Sequence, residues 1–153
     1  MSPDPKLHPA MACAMEEAEA AGERGEIPVG ACITGPDGNI MASAGNRTRE
    51  LNDVTAHAEV LVVREAGSLL GSERLAGCDL HVTLEPCAMC AAAISFARIA
   101  RLYFGSADEK MGAVENGPRF FAQSTCHHAP EVYSGLGEKK ARELLTQFFR
   151  TRR

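Results

Sequence analysis

The sequence predicts an α/β fold built around one mixed sheet. Predicted strands alternate with predicted helices along the chain, the order that produces a sheet covered by helices. A turn, Pro36-Asp37-Gly38-Asn39, joins the first two strands as an antiparallel hairpin, so the sheet cannot be wholly parallel. With 153 residues and no repeat, low-complexity segment or domain boundary, the chain is expected to form one domain, residues 1–153, with a loose lead-in over about 1–7.

The first half of the chain is predicted to supply two helices and the hairpin. Apolar residues at helical spacing, with glutamates on the other side, predict a helix over residues 8–24. Residues 29–34 and 40–44 are predicted as the strands of the hairpin. After a polar loop, a second helix is predicted over residues 57–70, with Thr55 as its cap. The apolar side of this helix is expected to include Val60, Leu61, Val63 and Ala66.

The second half continues the alternation. Its predicted elements are a strand at 79–84, a helix at 91–98, a strand at 100–105, a short strand near 131–133 and a helix over about 137–150. The last helix is expected to carry an apolar stripe of Ala141, Leu144, Leu145, Phe148 and Phe149. Residues 106–129, which contain Gly112, Gly117 and Pro118, are expected to form an irregular surface region around a site.

Composition excludes some classes of protein. Hydrophobic residues make up 45% and charged residues 24%, as in an ordinary globular protein, and no apolar run approaches the ~20 residues that cross a bilayer. The N-terminus lacks the basic-then-apolar order of a signal peptide, so a cytoplasmic location is expected. In a reducing compartment, the six cysteines favour metal binding or chemistry over disulfides.

Charge is unevenly distributed along the chain. Residues 1–138 carry a net charge of −9, and residues 139–153 carry a net charge of +5. A basic end can contact phosphates, or it can be a solvated helix end whose charges interact with the helix dipole. Charge alone favours the second interpretation.

The strongest chemical signal is Pro86-Cys87-Ala88-Met89-Cys90, between a predicted strand and a predicted helix. Two sulfurs at this spacing can reach one metal ion from the first helical turn. His57 can provide a third, neutral donor, and a zinc ion with three protein ligands keeps one position for a water that it acidifies. Glu59 lies two residues after His57 and points in another direction, so it can reach that water as general base and then general acid.

The alternative is a structural zinc site with a fourth protein ligand, as in a module that binds RNA without catalysis. An open three-ligand catalytic site beside a carboxylate is favoured over it. Candidate fourth ligands are Cys78, His81, Cys126, His127 and His128. Cys78 and His81 flank a predicted strand and are expected at packing or edge positions. Cys13 and Cys32 are expected in the core. Residues 126–128 could form a second metal site or a substrate loop, but polar loop residues are the favoured interpretation.

His57-Ala58-Glu59 and Pro86-Cys87-Ala88-Met89-Cys90 together match the H-x-E…P-C-x-x-C pattern of zinc-dependent nucleobase deaminases. Further matches are Pro28-Val29-Gly30-Ala31, Gly45-Asn46-Arg47, Val82-Thr83-Leu84-Glu85-Pro86-Cys87 and Phe148-Phe149-Arg150. Over residues 8–153 the chain resembles the bacterial tRNA-specific adenosine deaminases, within the cytidine/deoxycytidylate deaminase superfamily. The resemblance implies a three-layer α/β/α cytidine-deaminase-like fold with a five-stranded mixed sheet.

The resemblance also implies an activity: hydrolytic deamination of adenosine to inosine at the wobble position, position 34, of a tRNA anticodon. It implies a homodimer with one Zn²⁺ per subunit and a bound water as nucleophile. The implied zinc ligands are His57, Cys87 and Cys90, and the implied proton carrier is Glu59. The implied substrate contacts are Asn46, the backbone at Ala58 and Glu85, and, towards the anticodon stem-loop, Asp108, Phe149 and Arg150. With this resemblance, the basic C-terminus is favoured as an RNA contact.

Two segments depart from the family pattern. Val54 stands where the family commonly has proline, directly before Thr55-Ala56-His57. Residues 115–133, which include Cys126, His127 and His128, also differ, and they are expected near the substrate mouth. The alternative function is therefore a deaminase of a free nucleobase or nucleoside, of guanine or cytosine type, with the same zinc site.

Overall fold

Four helices and five strands alternate along residues 7–152, the part of the chain that the computed structural model describes. In chain order they are α1 (Pro9–Glu23), β1 (Gly30–Thr34), β2 (Ile40–Gly45), α2 (Ala58–Leu70), β3 (Asp79–Leu84), α3 (Ala88–Phe96), β4 (Arg101–Ser106), β5 (Glu131–Ser134) and α4 (Glu138–Thr151). Apart from Leu7, the expected lead-in lies outside the described residues. Within them, no helix has the length and apolar character needed to cross a membrane.

The five strands form one mixed sheet, as expected, and their order in it is β2-β1-β3-β4-β5. β1 pairs antiparallel with β2 and β3, while β3 with β4 and β4 with β5 pair in parallel. The carboxyl ends of β2, β3 and β4 therefore lie at one edge of the sheet, which we call the carboxyl edge. The segments after Gly45, Leu84 and Ser106 all begin there, and open α/β sheets bind their ligands at such an edge.

Helices cover both faces of the sheet, so the three-layer α/β/α fold is confirmed. α2 and α3 pack on the face that carries Ala31 and Phe104, while α1 and α4 pack on the face that carries Cys32 and Tyr103. This division arises because successive side chains of a strand point to opposite faces. α1 approaches β1 so closely that a Cβ on Gly30 would lie 2.0 Å from a backbone oxygen of α1, so only glycine fits there.

The start of α2 is predicted correctly and so is the burial of Ala66, but its cap and the rest of its buried side are not. His57 occupies the N-cap position, and its side chain makes no capping hydrogen bond. Thr55 instead donates its hydroxyl to Asp53 at 2.7 Å. The buried residues are Ala58, Glu59, Val62 and Ala66, whereas Val60, Leu61 and Val63 are half-buried. Because apolar residues occur on several sides of this helix, their spacing does not reveal which side faces the sheet.

Three further predictions differ from the structure. α3 begins at Ala88 rather than at 91, because Cys87 takes the N-cap position and the helix includes Cys90. Phe149 is 49% exposed and lies outside the buried stripe. It directly follows the buried Phe148, and consecutive residues of a helix point about 100° apart, so the sheet covers only one of them. Cys13 is half-buried at the margin of the core, whereas Cys32 is fully buried as predicted.

Candidate metal centre

Three side chains with metal-binding atoms meet at the carboxyl edge: His57, Cys87 and Cys90. His57 occupies the N-cap position of α2, Cys87 occupies that of α3, and Cys90 lies in the first turn of α3. The N-termini of both helices therefore point to one site. Their partial positive charges stabilise thiolates there, so the local structure favours the metal-binding form of the cysteines.

The distances between these donors fit zinc. His57 Nδ1 lies 3.4 Å from Cys90 Sγ and 3.7 Å from Cys87 Sγ. Bond lengths of about 2.0 and 2.3 Å at a tetrahedral angle put nitrogen and sulfur ligands of zinc about 3.5 Å apart. Within residues 7–152, no other group of three or more histidine, cysteine or acidic side chains has donors so close together. The donor set thus fits an open, three-ligand zinc site.

Hydrogen bonds among the donors determine their acidity in the metal-free protein. The thiol of Cys90 donates to Cys87, and this bond, with a further contribution from His57, lowers the pKa of Cys87 to about 4 against the effect of burial. The same bond, together with burial, raises the pKa of Cys90. The contact with Cys87 raises the pKa of His57. One thiolate is thus already favoured, and a divalent cation displaces the remaining protons when it binds.

Glu59 is a second kind of group at this site. It is the second residue of α2 and is only 4% exposed. Burial raises the pKa of its carboxyl group, while its own backbone N–H, as a donor, and the charge of His57 act in the opposite direction. The carboxylate is not one of the three clustered donors, so it is available to carry protons beside a metal rather than to bind it.

Asn46, a predicted substrate contact, directly follows β2 at the carboxyl edge and is buried. Its backbone N–H donates to the carbonyl oxygen of Val29 at 3.0 Å. The residues that follow are held by Glu26, a buried carboxylate that accepts the backbone N–H groups of Arg49 and Glu50 at 3.1 and 2.8 Å. Sequence reasoning missed Glu26, because its partners lie 23 and 24 residues away and leave no local pattern.

Ala58 and Glu85 are predicted to contact the substrate through their backbones. Ala58 is the buried first residue of α2, and Glu85 is buried directly after β3. The side chain of Glu85, for which the sequence suggested no role, accepts five hydrogen bonds from residues 108–116. Burial opposes ionisation, but these bonds, led by the one from the Asp108 backbone, outweigh it and lower the pKa of Glu85.

The three predicted anticodon contacts lie on the segment after β4 and on α4. Asp108 is half-buried, and its Oδ1 accepts the backbone N–H groups of Lys110 and Met111, both at 3.1 Å. It therefore stabilises a turn of its own loop. Phe149 and Arg150 are exposed near the end of α4. None of the three joins the cluster of metal donors.

The end of α4 nevertheless lies at the carboxyl edge. A groove between α1 and α4 is lined by Pro28, Phe148 and Arg152, among others. Pro28 leads into β1, whose first residue, Gly30, donates its backbone N–H to Thr83 near the end of β3. The tail of α4 therefore lies at the same edge of the sheet as the metal donors, although it packs on the other face.

Residues 126–128 fasten a loop. His128 Nε2 lies 2.7 Å from the carbonyl oxygen of Ile99, and the His128 carbonyl oxygen accepts from Ser95 Oγ at 2.6 Å and from Cys126 Sγ at 3.2 Å. His127 is exposed. None of them belongs to a group of three metal-binding side chains within residues 7–152.

Cys78 and His81 serve packing. Cys78 is fully buried in the larger core. His81 does not flank a strand at an edge, because β3 is the central strand of the sheet and His81 lies within it. Its ring is stacked between those of His8 and Tyr103.

Comparisons with known proteins identify the family. Residues 5–106 match the family model described as the cytidine and deoxycytidylate deaminase zinc-binding region. The chain is 64% identical to the tRNA-specific adenosine deaminase of Agrobacterium fabrum over 143 residues. The alignment covers 94% of this chain and 93% of that protein. The tRNA-specific adenosine deaminase of Aquifex aeolicus is 43% identical over 90% of this chain and 89% of its own length.

Solved structures agree with this result. One, from studies of A-to-I editing by tRNA:A34 deaminases at the wobble position of transfer RNA, has a TM-score of 0.87 and 64% identity, and covers 89% of this chain and 98% of its own. A guanine deaminase from Nitrosomonas europaea has a TM-score of 0.75 at 21% identity over 96% of this chain and 87% of its own, and so shows a common fold alone. The chain therefore belongs to the tRNA-specific adenosine deaminases, with the zinc-binding region of the cytidine and deoxycytidylate deaminases.

Proposed function

We propose that this chain converts adenosine to inosine at the wobble position, position 34, of a tRNA anticodon, with one zinc ion held by His57, Cys87 and Cys90. The observation that carries the proposal is the three-donor cluster with zinc-like spacing beside the buried Glu59. Its occurrence in a chain 64% identical to a tRNA-specific adenosine deaminase favours this substrate over a free base.

Glu59 carries the protons in the proposed mechanism. Bound zinc supplies a Lewis acid that brings the pKa of a water at its open position near neutrality. The Glu59 carboxylate takes a proton from the attacking water and delivers it to N1 of adenine as the water oxygen bonds to C6. It then moves the remaining proton of that oxygen to the exocyclic amine, and the C6–N bond breaks. The balance is adenosine plus water to inosine plus ammonia. Because Glu59 is buried, bulk water does not compete for the proton between the two transfers.

The proposed substrate contacts surround this centre along the carboxyl edge. Asn46 and the backbones of Ala58 and Glu85 face the target nucleoside, and Asp108 lies on the adjacent loop. RNA loops of this kind are bound with splayed-out bases and with contacts to their phosphates.

The basic end of α4 is the proposed phosphate contact, and Arg150 is its main candidate. Two of the other basic side chains already pair with acids, since Lys140 contacts Glu19 and Arg142 contacts Glu138. Arg150→Ala should raise KM for RNA about tenfold. It should also reduce the slope of log binding constant against log salt concentration by about one. The ion-paired Arg142 is the matched control, and an equal effect of Arg142→Ala would remove the special role of Arg150.

We further propose a homodimer, as the family resemblance implies. Val54, Phe96 and Met111 are large apolar residues that are 83%, 74% and 68% exposed in the single chain. A second copy would remove such side chains from water. Light scattering should give twice the chain mass at micromolar concentration, and Phe96→Glu should shift the protein towards monomer. A monomeric wild-type protein would contradict the proposal. We also expect the enzyme in the cytoplasm, where its tRNA substrate is found, as cell fractionation can check.

The deciding experiment uses an anticodon stem-loop RNA with adenosine at position 34. We expect inosine at that position, in a preparation that contains about one zinc per chain. The matched substrate carries guanosine at position 34, and a panel of free adenosine, guanine and cytosine tests the alternative function. If guanine or cytosine releases ammonia and the RNA contains no inosine, the substrate is a free base and not tRNA.

A further inference from the structure

One side chain attaches residues 108–116, which follow β4, to the end of β3. We call this segment the 108–116 loop. Glu85 is buried, and its Oε2 accepts the three successive backbone N–H groups of residues 114–116 at 3.1, 2.9 and 3.1 Å. Its Oε1 accepts the backbone N–H of Asp108 at 3.0 Å and Nδ2 of Asn116 at 2.7 Å. One carboxylate therefore holds both ends of the loop.

The backbone adds a second attachment directly beside a metal donor. Ala113 donates its N–H to the carbonyl oxygen of Pro86 at 2.9 Å, and Gly112 forms an isolated antiparallel bridge with Cys87. A Cβ on Gly112 would lie 2.5 Å from the carboxyl carbon of Glu85, so no larger residue fits there. The loop is thus built around the Glu85 carboxylate and lies against the backbone of Cys87.

The number of donors determines what Glu85 can do. A carboxylate offers about four lone-pair positions, and five hydrogen bonds already occupy those of Glu85. It is therefore not available as a proton carrier like Glu59. Within residues 7–152, all side-chain hydrogen bonds of Glu85 go to the loop, so any effect of the Glu85 carboxylate on the reaction acts through the loop.

We propose that Glu85 is a positioning residue that holds the 108–116 loop, and with it Asp108, against the Cys87 segment and so determines the affinity for the RNA substrate. The inference rests on the proposed function, in which Asp108 faces the anticodon loop. Loss of the acceptor frees the backbone of Asp108 but leaves the metal donors and Glu59 in place. Substrate binding, rather than the chemical step, should then be impaired.

The test is Glu85→Gln, which keeps the shape of the side chain but replaces one acceptor oxygen by an amide N–H₂ that cannot accept. Glu73→Gln is the matched control, because it removes the same charge from an exposed side chain between α2 and β3, outside the loop. With the A34 stem-loop, Glu85→Gln should raise KM about tenfold or more and change kcat less than about threefold. The zinc content should stay at about one per chain, and Glu73→Gln should behave as wild type.

The split between KM and kcat separates positioning from general stability. A smaller folded fraction lowers the apparent kcat and leaves KM unchanged, so an effect on kcat alone would overturn the proposal. If Glu85→Gln does not fold, Asn116→Ala decides, because it removes one of the five bonds and keeps the carboxylate. It should raise KM about threefold, and an unchanged KM would overturn the proposal.

Amide hydrogen exchange tests the attachment without any substrate. In the zinc-loaded protein, exchange at residues 114–116 should be about tenfold or more faster in Glu85→Gln than in Glu73→Gln. Unchanged exchange would overturn the proposed attachment whatever the activity. If exchange is faster in Glu85→Gln but the wild type leaves A34 RNA unmodified, the attachment is supported and the proposed function is contradicted. The two failures are therefore distinguishable.

Discussion

His57 and His81 lie in two regions of the same molecule and have opposite surroundings. Two thiol sulfurs lie within 3.7 Å of Nδ1 of His57, and the contact with Cys87 raises its pKa. The ring of His81 lies 4.8 Å from that of His8 and 4.4 Å from that of Tyr103, measured between centroids. Neither ring nitrogen of His81 has a hydrogen-bond partner among residues 7–152, and burial, aided by His8, lowers its pKa to about 4.

The difference shows that burial alone does not give a histidine a chemical role. The sulfur donors around His57 favour a shared cation, whereas the flat ring faces around His81 favour a neutral imidazole. His81 is aligned with Tyr103 and Tyr133 across β3, β4 and β5, so its ring continues an aromatic ladder. We therefore expect His57 to control metal and activity, and His81 to control stability.

The largest expected difference is between His57→Ala and His81→Phe. His57→Ala removes one of three zinc donors, so bound zinc should be lost and inosine formation should fall about four orders of magnitude. His81→Phe keeps a ring in the ladder and should retain zinc and kcat. Elemental analysis and the A34 stem-loop assay measure both effects. A fully metallated, active His57→Ala would break the comparison, as would loss of zinc from His81→Phe.

A second prediction separates metal binding from proton transfer at the carboxyl edge. Glu59→Gln should keep zinc, because Glu59 is not one of the clustered donors, while kcat falls by about 10²–10⁴. The exposed Glu65 of the same helix gives the matched control, Glu65→Gln, with wild-type kcat. A zinc-loaded Glu59→Gln with normal turnover would refute the proton-carrier role.

A third prediction concerns acid stability, and it sharpens the contrast from the side of His81. Its pKa falls from 6.5 to about 4 on folding, so below pH 6.5 the unfolded chain binds a proton that the folded protein does not. The contribution of the neutral ring to the free energy of unfolding is therefore fully present above pH 6.5. Between pH 6.5 and pH 4 the free energy of unfolding falls by about 1.4 kcal/mol per pH unit.

Denaturant unfolding at pH 7 and pH 5 measures this loss. Wild type should lose about 2 kcal/mol more than His81→Phe between the two pH values. At pH 7 the variant should be at least as stable as wild type, because phenylalanine buries no unpaired nitrogen. His127→Gln, at an exposed position, should follow wild type. Equal losses in wild type and His81→Phe would show that His81 is not the acid-sensitive group.

The smallest expected effect is at His8, which caps α1 by accepting the backbone N–H of Ala10 at 3.1 Å and also stacks on His81. His8→Ala should lower the free energy of unfolding by about 1 kcal/mol, or Tm by about 2–4 °C, with zinc unchanged. His8→Asn restores a cap but not the ring. Thermal unfolding of the two variants separates the contributions, and equal Tm losses would assign the whole effect to stacking.

Much of the fold and of the metal centre could be predicted, because the signals are local. The hairpin turn, the alternation of elements and the spacing of Cys87 and Cys90 are each visible within a few residues. Thr55 and Phe149 were misassigned because the identity of a cap and the exposure of a ring depend on neighbours that the spacing does not name. Apart from Ala66, the buried side of α2 was misassigned for the same reason.

By itself, the sequence determined the α/β class, the family and the two motifs whose donors meet at the carboxyl edge. Only the tertiary structure decided the roles of Glu85 and His81. The partners of Glu85 lie 23 to 31 residues further along the chain, and the rings against His81 come from positions 8 and 103. Whether a buried polar group is charged, neutral, saturated or unpaired depends on the donors and acceptors within hydrogen-bonding distance, and folding alone brings those together.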